Sequence, residues 1–347
     1  MPTQKCTLIL HTIIPCTYTP EFDSHVARTP VILYPAHSKC SHWTYLQAIS
    51  ICLLLLLTAP VKGAALECQN WQNDNPDWLW CDDFESEAAL DAAYFEVNRA
   101  SGLMTISNEA SFGGTNALRS EWVPGGSEFG NVKLSIGRTP VSPTLAPNQD
   151  FSEIYWRFYT MIDSRWSGPA NKTSRITIFS KSNWSQAAIG HLWMGNDGDL
   201  SLSIDPASGV GSDPSSTTAV TNGYNDFNNL SWLGLRKGNT QIFHPSYRQR
   251  WVCVETRVKL NSPGNSDGVF EFWVDDGLEA SRTDLNWRSS YQDYGLNAIF
   301  LENYRGNGPA QAQARFFDNF VVSTSRIGCL NNTAASIPKP PVVLSAG

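Results

Sequence analysis

One predicted strand, residues 155–162, carries side chains that could perform acid–base chemistry. If Trp156 and Phe158 face a core, then Tyr155, Arg157 and Tyr159 share the opposite face, because alternate residues of a strand point the same way. A cation can neutralise a carboxylate, a base can then remove a proton from the adjacent carbon, and an acid can protonate a leaving oxygen. Arg157 is a candidate for the first role, and Tyr159 for either proton transfer.

Other predicted strands offer alternatives for the same three roles. Arg175 is a second candidate cation, His191 an alternative base and Tyr304 an alternative acid. His191 is a better candidate than His244, because a strand would hold it rigidly whereas His244 precedes a proline in a predicted loop. Each of these side chains could equally be an ordinary structural or solvated strand residue.

Further side chains on these strands are expected to contact a substrate. Segment 174–181 groups Arg175 with Lys181, and segment 297–304 divides into two alternating sets, one of which contains Glu302 and Tyr304. The facing of His191 and Trp193 is ambiguous from the pattern alone. The predicted binding residues are Tyr155, Arg175, Lys181, Trp193, Glu255, Arg257 and Glu302.

The clearest structural signal is a β-hairpin over residues 251–277. Apolar residues alternate with Glu255, Arg257 and Lys259, then a turn rich in Asn, Pro, Gly and Asp follows, and Phe270 and Phe272 resume the apolar face. This pattern predicts an antiparallel sheet with one buried face and one polar face.

Strand patterns recur through most of the chain, separated by Gly, Pro, Asn, Asp and Ser. One short helix is expected within 85–95, and residues 196–199 are expected to form a hairpin turn. Many strands with little helix predict an all-β sandwich or jelly roll. The predicted strands are 117–122, 132–136, 153–162, 174–180, 187–194, 200–204, 251–260, 269–274, 297–301 and 315–322.

Composition and the two ends of the chain limit the functions to consider. The 347 residues carry a net charge of −7, so nothing suggests nucleic-acid binding. Residues 1–65 are predicted to be an irregular leader plus a secretory signal peptide, since the apolar run near 49–59 is too short to span a bilayer. A buried helix is the alternative. Residues 66–330 form one predicted domain, and 331–347 a proline-rich disordered tail.

Four cysteines remain after the predicted leader: Cys68, Cys81, Cys253 and Cys329. An even count in a secreted chain favours two disulfides, for which three connectivities are possible. We favour Cys68–Cys81, a short local loop, and Cys253–Cys329, which would attach the end of the domain to the sheet. No cysteine or histidine spacing suggests zinc.

Several motifs together resemble a known family. They are CDDFE at 81–85, GGTNALRSEW at 113–122, YWRFYTMI at 155–162, the hairpin and FFDNFVVSTSRIGC at 316–329. In this order they resemble the concanavalin A-like lectin/glucanase superfamily, and within it the polysaccharide-lyase-like branch of heparin, glucuronan and alginate lyases. The resemblance covers nearly all of 66–330. It implies a concanavalin A-like β-jelly-roll sandwich of two antiparallel sheets with glycan in the concave face.

The resemblance also implies action on an acidic polysaccharide by β-elimination. The predicted signal peptide indicates a secreted or periplasmic protein, and we expect a monomer. The lyase motifs are incomplete, because Arg157 lacks the neighbouring Glu, an extra residue precedes His191, and the Tyr304 segment has no matching Lys. A non-catalytic lectin-like module and a structural matrix protein are therefore alternatives. Exposed tryptophans could stack on sugar rings, the candidates being Trp166, Trp184, Trp232 and Trp287.

A glycoside hydrolase ranks below a lyase. Hydrolysis needs two carboxylates across the scissile bond, and residues 271–276 do not match the glucanase spacing. Glu255 and Glu302 are the alternative pair of carboxylates for hydrolysis, but they would have to meet across the sheet.

A structural calcium ion is a further implication of the resemblance. Asp83 and Glu85 near the start of the domain and Asp318 near its end would supply the oxygen ligands that calcium prefers. The alternative is that these acids cap turns or pair with Arg315.

Overall fold

The computed structural model describes residues 67–194 and 199–330. The predicted leader and signal peptide, the turn at 196–198 and the proline-rich tail lie outside the described residues. Within the described part, no helix is long and apolar enough to cross a membrane.

Two antiparallel eight-stranded sheets make up the described domain. The strands of the first sheet are β1 (Trp78–Asp82), β3 (Met104–Ser107), β4 (Ala117–Trp122), β6 (Glu153–Ile162), β12 (Val252–Lys259), β13 (Gly268–Val274), β14 (Gly277–Leu285) and β16 (Gln313–Ser323). They lie in the order β14-β13-β12-β6-β16-β4-β3, and β1 also pairs with β16.

The strands of the second sheet are β2 (Glu96–Asn98), β5 (Glu128–Ser135), β7 (Lys172–Phe179), β8 (Gln186–Trp193), β9 (Ser203–Ser208), β10 (Ser231–Trp232), β11 (Arg236–Lys237) and β15 (Ala298–Tyr304). They lie in the order β10-β9-β8-β7-β15-β5-β2, and β11 also pairs with β9. Two short helices, α1 (Trp71–Asp74) and α2 (Glu87–Ala93), precede most of the strands. This architecture confirms the predicted β-jelly-roll sandwich.

The core lies between the sheets and is built by strict alternation. Trp156 and Phe158 of β6 and Ile176 and Ile178 of β7 belong to one buried apolar cluster. In the predicted hairpin, Val254 and Val258 pair directly with Val274 and Phe270, and all four are in the same cluster. Because each strand gives one face to this core, its polar residues are directed to the outer face of its sheet.

β16 is the central connection of the first sheet. It pairs with β6 along most of its length, while its start pairs with β4 and its end with β1. The register with β6 shifts between Asp318 and Val321, and Asn319 there has a φ of 43°. The bulge lets one strand bind two partners in succession on its other side.

Six strands were absent from the predicted set: β1, β2, β3, β10, β11 and β14. Four of them have four or fewer residues, which is too short for alternation to be read. β14 is long, but most of its side chains are exposed or half-buried because it is the edge of the first sheet. Tertiary pairing, rather than hydrophobic pattern, defines these strands.

Both favoured disulfides, Cys68–Cys81 and Cys253–Cys329, are present. The second joins β12 to the segment after β16, across a sequence separation of 76 residues, whereas the first spans 13. A crosslink restricts the unfolded chain more when the loop it closes is longer.

Removal of Cys253–Cys329 should therefore destabilise the domain more than removal of Cys68–Cys81. We expect Cys253→Ser/Cys329→Ser to lower the free energy of unfolding by about 2–5 kcal/mol, measured by urea denaturation. Cys68→Ser/Cys81→Ser is the matched comparison. Equal losses, or a larger loss for the shorter loop, would contradict this ranking.

Candidate functional site

The predicted site residues are divided between two surfaces that face away from each other. Tyr155, Arg157 and Tyr159 lie with Glu255 and Arg257 on the outer face of the first sheet, where β6 pairs with β12. The outer face of the second sheet carries Arg175, His191, Trp193, Glu302 and Tyr304. The predicted catalytic set of Arg157, Tyr159, His191 and Tyr304 is thus not brought together, because the apolar core separates its two halves.

Arg157 is occupied by structural contacts. Only 1% of it is exposed, and its guanidinium forms an ion pair with Glu67 at 2.6 Å. It also donates to the carbonyl oxygens of Gly328 at 3.2 Å and Asn319 at 3.4 Å. Arg157 therefore joins the beginning and the end of the domain to β6, and its expected role towards a substrate carboxylate is not compatible with this placement.

Tyr159 is also engaged. Its ring stacks on Phe112 with centroids 3.5 Å apart, and its oxygen accepts a hydrogen bond from the Leu330 backbone at 2.6 Å. Burial raises the pKa of Tyr159 to about 12. A buried phenol of raised pKa, covered by the chain itself, is unsuited to the expected proton transfer.

The remaining candidates on this face bind one another or the end of the domain. Arg257 forms ion pairs with Glu153 at 2.8 Å and Glu271 at 2.9 Å, and Tyr155 donates to Glu153 at 3.2 Å. Glu255 accepts from the backbone of Ile327 at 2.7 Å and Gly328 at 3.0 Å. Glu255 and Glu302 lie on opposite surfaces, so the carboxylate pair considered for hydrolysis is not formed.

The second sheet presents its polar residues as rows across neighbouring strands. In one row Lys133, Phe300, Arg175 and His191 are successive direct partners on β5, β15, β7 and β8. A second row contains Glu128, Tyr304, Lys172 and Trp193 on the same four strands. Directly paired residues share a face, so the two rows form one continuous surface.

A buried ion pair lies at the centre of this surface. The Arg175 guanidinium is bound by both carboxylate oxygens of Glu302, with Nε to Oε2 at 2.9 Å, and it also donates to Asn225 at 2.8 Å and Tyr224 at 3.0 Å. Burial favours the neutral form of Glu302, but attraction to Arg175 outweighs burial and lowers the pKa of Glu302 to about 2. The pair is an oriented, fully charged unit rather than a proton donor or acceptor.

His191 lies next to this pair and beneath aromatic rings. Its ring stacks on Trp193 with centroids 3.9 Å apart, its Nδ1 lies 3.1 Å from the Asp205 carbonyl oxygen, and only 1% of it is exposed. Burial, helped by the charge of Arg175, lowers the pKa of His191 to about 3. The ring is neutral, as a base must be, but its neighbours cover it. This placement argues against the predicted role of His191 as the base.

A cleft of about 290 Å³ opens on this surface between β2, β5, β7 and β15. It contains two predicted site residues, Glu302 and Tyr304, and the predicted stacking residue Trp184, together with cations, amides and a tyrosine that the sequence did not single out. The lining residues are Glu96, Asn98, Glu128, Gly130, Asn131, Lys133, Lys172, Trp184, Tyr224, Asn225, Glu302, Asn303 and Tyr304.

Lys172 is the main residue that sequence reasoning missed. Its Nζ lies 4.3 Å from the centroid of the Tyr304 ring, and burial lowers its pKa although the nearby Glu302 carboxylate opposes the shift. The odd spacing between residues 172 and 175 would place Lys172 and Arg175 on opposite faces of a regular strand. A register shift between Lys172 and Ser174 brings both to the outer face, which alternation alone could not reveal.

Lys133 is a second missed cation. Its Nζ forms an ion pair with Glu96 and lies 4.8 Å from the Trp184 ring centroid and 5.1 Å from that of Tyr224. Burial lowers the pKa of Lys133 despite the partner carboxylate. By contrast, the predicted binding residue Lys181 is exposed in the turn between β7 and β8 and does not line the cleft.

The residues predicted to bind calcium make protein contacts instead. The Glu85 carboxylate accepts hydrogen bonds from Thr115 and Asn116, and Asp318 accepts from the backbone of Phe112 at 2.7 Å and Gly113 at 3.2 Å. The described residues include no group of three or more acidic, His or Cys side chains that could hold a metal ion. The Glu85 and Asp318 oxygens accept hydrogen bonds from N–H and O–H donors in this arrangement. Calcium binding stays a sequence-based prediction.

Fold and surface together define a two-sheet β-jelly roll with a charged, aromatic-lined cleft on one sheet. No protein-family model matches the chain, and no curated protein sequence matches it. Solved structures do match. An endo-β-1,4-glucuronan lyase from the fungus Trichoderma reesei is 12% identical, with 72% of this chain and 91% of that chain covered and a TM-score of 0.44.

Two alginate lyases show a similar likeness. The enzyme from Chlorella virus is 13% identical, with 72% of this chain and 100% of that chain covered and a TM-score of 0.47. The enzyme from Aplysia kurodai is 11% identical, with coverages of 72% and 99% and a TM-score of 0.49. These structures are polysaccharide lyases, the class that the sequence motifs resemble. The strand pairing of this chain by itself establishes its jelly-roll architecture.

The Arg175–Glu302 ion pair should make the free energy of unfolding depend on pH. Because folding lowers the pKa of Glu302 from 4.5 to about 2, its stabilising contribution is complete above pH 4.5 and is lost as the pH falls toward 2. Glu302→Gln leaves Arg175 buried without its charged partner, and should cost about 3–5 kcal/mol at neutral pH. Urea denaturation over this pH range is the measurement.

Glu128→Gln is the matched control, since Glu128 lines the same cleft but is exposed. The control should behave as wild type. The Glu302→Gln protein should also lose less stability than wild type as the pH falls from 4.5 to 2. An unchanged free energy of unfolding at neutral pH would show that the ion pair is not a structural requirement.

Proposed function

We propose that this protein is a secreted lyase that cleaves an acidic polysaccharide by β-elimination in the cleft of the second sheet. The observation that carries the proposal is the contact between Lys172 and Tyr304, a base of lowered pKa beside a phenol, in a cleft large enough for a sugar residue. The two disulfides suit an oxidising compartment.

Lys172 is assigned as the base. Burial disfavours its charged form, so part of the population is neutral at a lower pH than for an ordinary lysine. Neutral Lys172 takes the proton from the carbon next to the uronate carboxyl group and becomes the ammonium. The electron pair of the broken C–H bond forms a carbon–carbon double bond, and the bond to the glycosidic oxygen breaks.

Tyr304 is assigned as the acid. Its hydroxyl donates a proton to the departing oxygen, which leaves the phenolate next to the newly formed Lys172 ammonium. Exchange of protons with solvent then restores neutral Lys172 and the Tyr304 hydroxyl before the next turnover. Tyr304 was a predicted catalytic residue, whereas its partner was not.

The substrate carboxylate is assigned to Asn131 and Lys133. These two residues of β5 lie two positions apart, so they share a face, and both line the cleft. In this assignment the side-chain NH2 group of Asn131 is the hydrogen-bond donor to the carboxylate, because the side-chain oxygen is buried and can only accept. An amide beside a lysine can stabilise the charge that develops on the carboxyl group as the proton leaves.

Non-catalytic binding of an acidic polysaccharide is the second candidate function. It is favoured by the fact that Arg175 with Glu302 and Lys133 with Glu96 already form ion pairs. Such a surface could hold a polymer without reacting with it. The two functions differ in one readout, the ultraviolet absorbance of an unsaturated product.

The catalytic assignment predicts the behaviour of Lys172→Met and Tyr304→Phe on alginate, glucuronan or heparin-like chains. Each variant should lower kcat by roughly 10²–10⁴-fold, because each loses one proton transfer. In the wild-type protein, activity should rise with pH as Lys172 loses its proton, at a pH below the ordinary lysine pKa of 10.5.

Lys181→Met is the matched control, since it removes an exposed lysine outside the cleft. Circular dichroism melting should confirm that all variants fold. If wild-type protein yields no unsaturated product from any polyuronate but is retarded in gels that contain one, the lectin-like function is correct. Normal turnover in Lys172→Met would remove Lys172 from the mechanism.

A further inference from the structure

We propose that Trp232 and Phe227 form a stacking platform that binds a second sugar ring of the polymer, outside the cleft. The ligand at this platform is a pyranose that presents the face rich in C–H groups to the aromatic rings. This inference rests on the proposed function only for the choice of an acidic polysaccharide, since stacking requires no chemical reaction.

The two aromatic rings are unusually accessible. Trp232 is 44% exposed and Phe227 is 39% exposed, and they are the aromatic members of the small set of exposed large hydrophobic residues in the described chain. Their ring centroids are 6.0 Å apart, with an interplanar angle of 33°. Large aromatic side chains left in water next to each other are a costly arrangement unless a ligand covers them.

The platform is supported from below by a rigid stack. The Trp232 ring lies 5.5 Å from the His191 ring and 5.9 Å from the Trp193 ring, at angles of 26° and 21°. Trp193 donates to the Asp205 carboxylate at 3.2 Å, and His191 contacts the Asp205 backbone oxygen at 3.1 Å. Because these contacts hold the stack in place, little conformational entropy is lost when a sugar binds.

The lowered pKa of His191 keeps the ring beneath the platform neutral. No basic side chain of the described residues is placed over the Trp232 or Phe227 rings, whereas Lys133, Lys172 and Arg175 each lie over rings in or beside the cleft. The two parts of the surface therefore differ in chemistry. The cleft suits the charged part of a sugar, and the platform suits an apolar ring face.

The platform continues the same outer surface as the cleft. Trp193 is the direct cross-strand partner of Lys172, which lines the cleft, and Trp232 pairs with Ala207 on β9. From β7 to β10 there are three strand intervals, which is about 14 Å across the sheet. A polymer bound in the cleft would place another of its rings over Trp232.

The test compares binding of wild type, Trp232→Ala and Phe227→Ala to alginate and glucuronan by affinity gel electrophoresis. Trp232→Ala should weaken binding roughly three- to tenfold, as expected for the loss of one aromatic stacking contact. Tryptophan fluorescence should change when oligosaccharides bind wild type, and change less in Trp232→Ala. The loss of affinity in Trp232→Ala should be larger for hexasaccharides than for disaccharides. A disaccharide fits in the cleft alone and does not reach the platform.

Leu278→Ala is the matched control, because Leu278 is 55% exposed and lies on β14 of the other sheet. This variant should bind as wild type does. Unchanged affinity of both aromatic variants for long chains would overturn the platform, and so would a failure of wild type to bind either polymer. A third outcome separates the two proposals. If wild type binds the polymer, if this binding is weaker in Trp232→Ala, and if no unsaturated product forms, then the platform is supported and the elimination reaction is refuted.

Discussion

Each long strand of the sandwich gives one face to a shared apolar core, and this constraint places the other functional features. Trp156 and Phe158 on β6 and Ile176 and Ile178 on β7 meet in that core. The polar residues between them must therefore point outward, in opposite directions for the two sheets. Two polar surfaces result, and no side chain can reach from one to the other.

The ends of the domain make these two surfaces different. On the first sheet, Glu67 and the segment 326–330 lie against the strands, where they bind Arg157, Tyr159 and Glu255. The Cys253–Cys329 disulfide holds that cover in place. Arg157 and Glu255 of the first sheet thus hold the ends of the described domain, Arg257 is paired with its neighbours, and the second sheet keeps an open surface.

On the second sheet, one buried ion pair sets the electrostatics of its neighbours. Burial lowers the pKa of both His191 and Lys172; the positive charge of Arg175 adds to this effect, and the carboxylate of Glu302 opposes it. The same burial that makes the pair costly to break makes it effective, because the low dielectric strengthens each interaction. A neutral imidazole under aromatic rings and a lysine of lowered pKa beside a phenol are two consequences of burial next to this charge pair.

From the amino-acid sequence alone, alternation predicted an all-β fold, the hairpin of β12 and β13 and the grouping of Glu302 with Tyr304 on one strand face. The resemblance to jelly-roll lyases added the two-sheet architecture, and the favoured disulfide pairs were confirmed. Period-two alternation and turn residues are local properties, so they can be read from the chain. Which outer face stays open depends on tertiary contacts, and these cover Arg157 and Tyr159 with the ends of the domain. The tertiary structure also decided that a register shift places Lys172 beside Tyr304, and that His191 is covered by Trp193 and Trp232. Those outcomes depend on contacts between distant segments, and no local pattern records them.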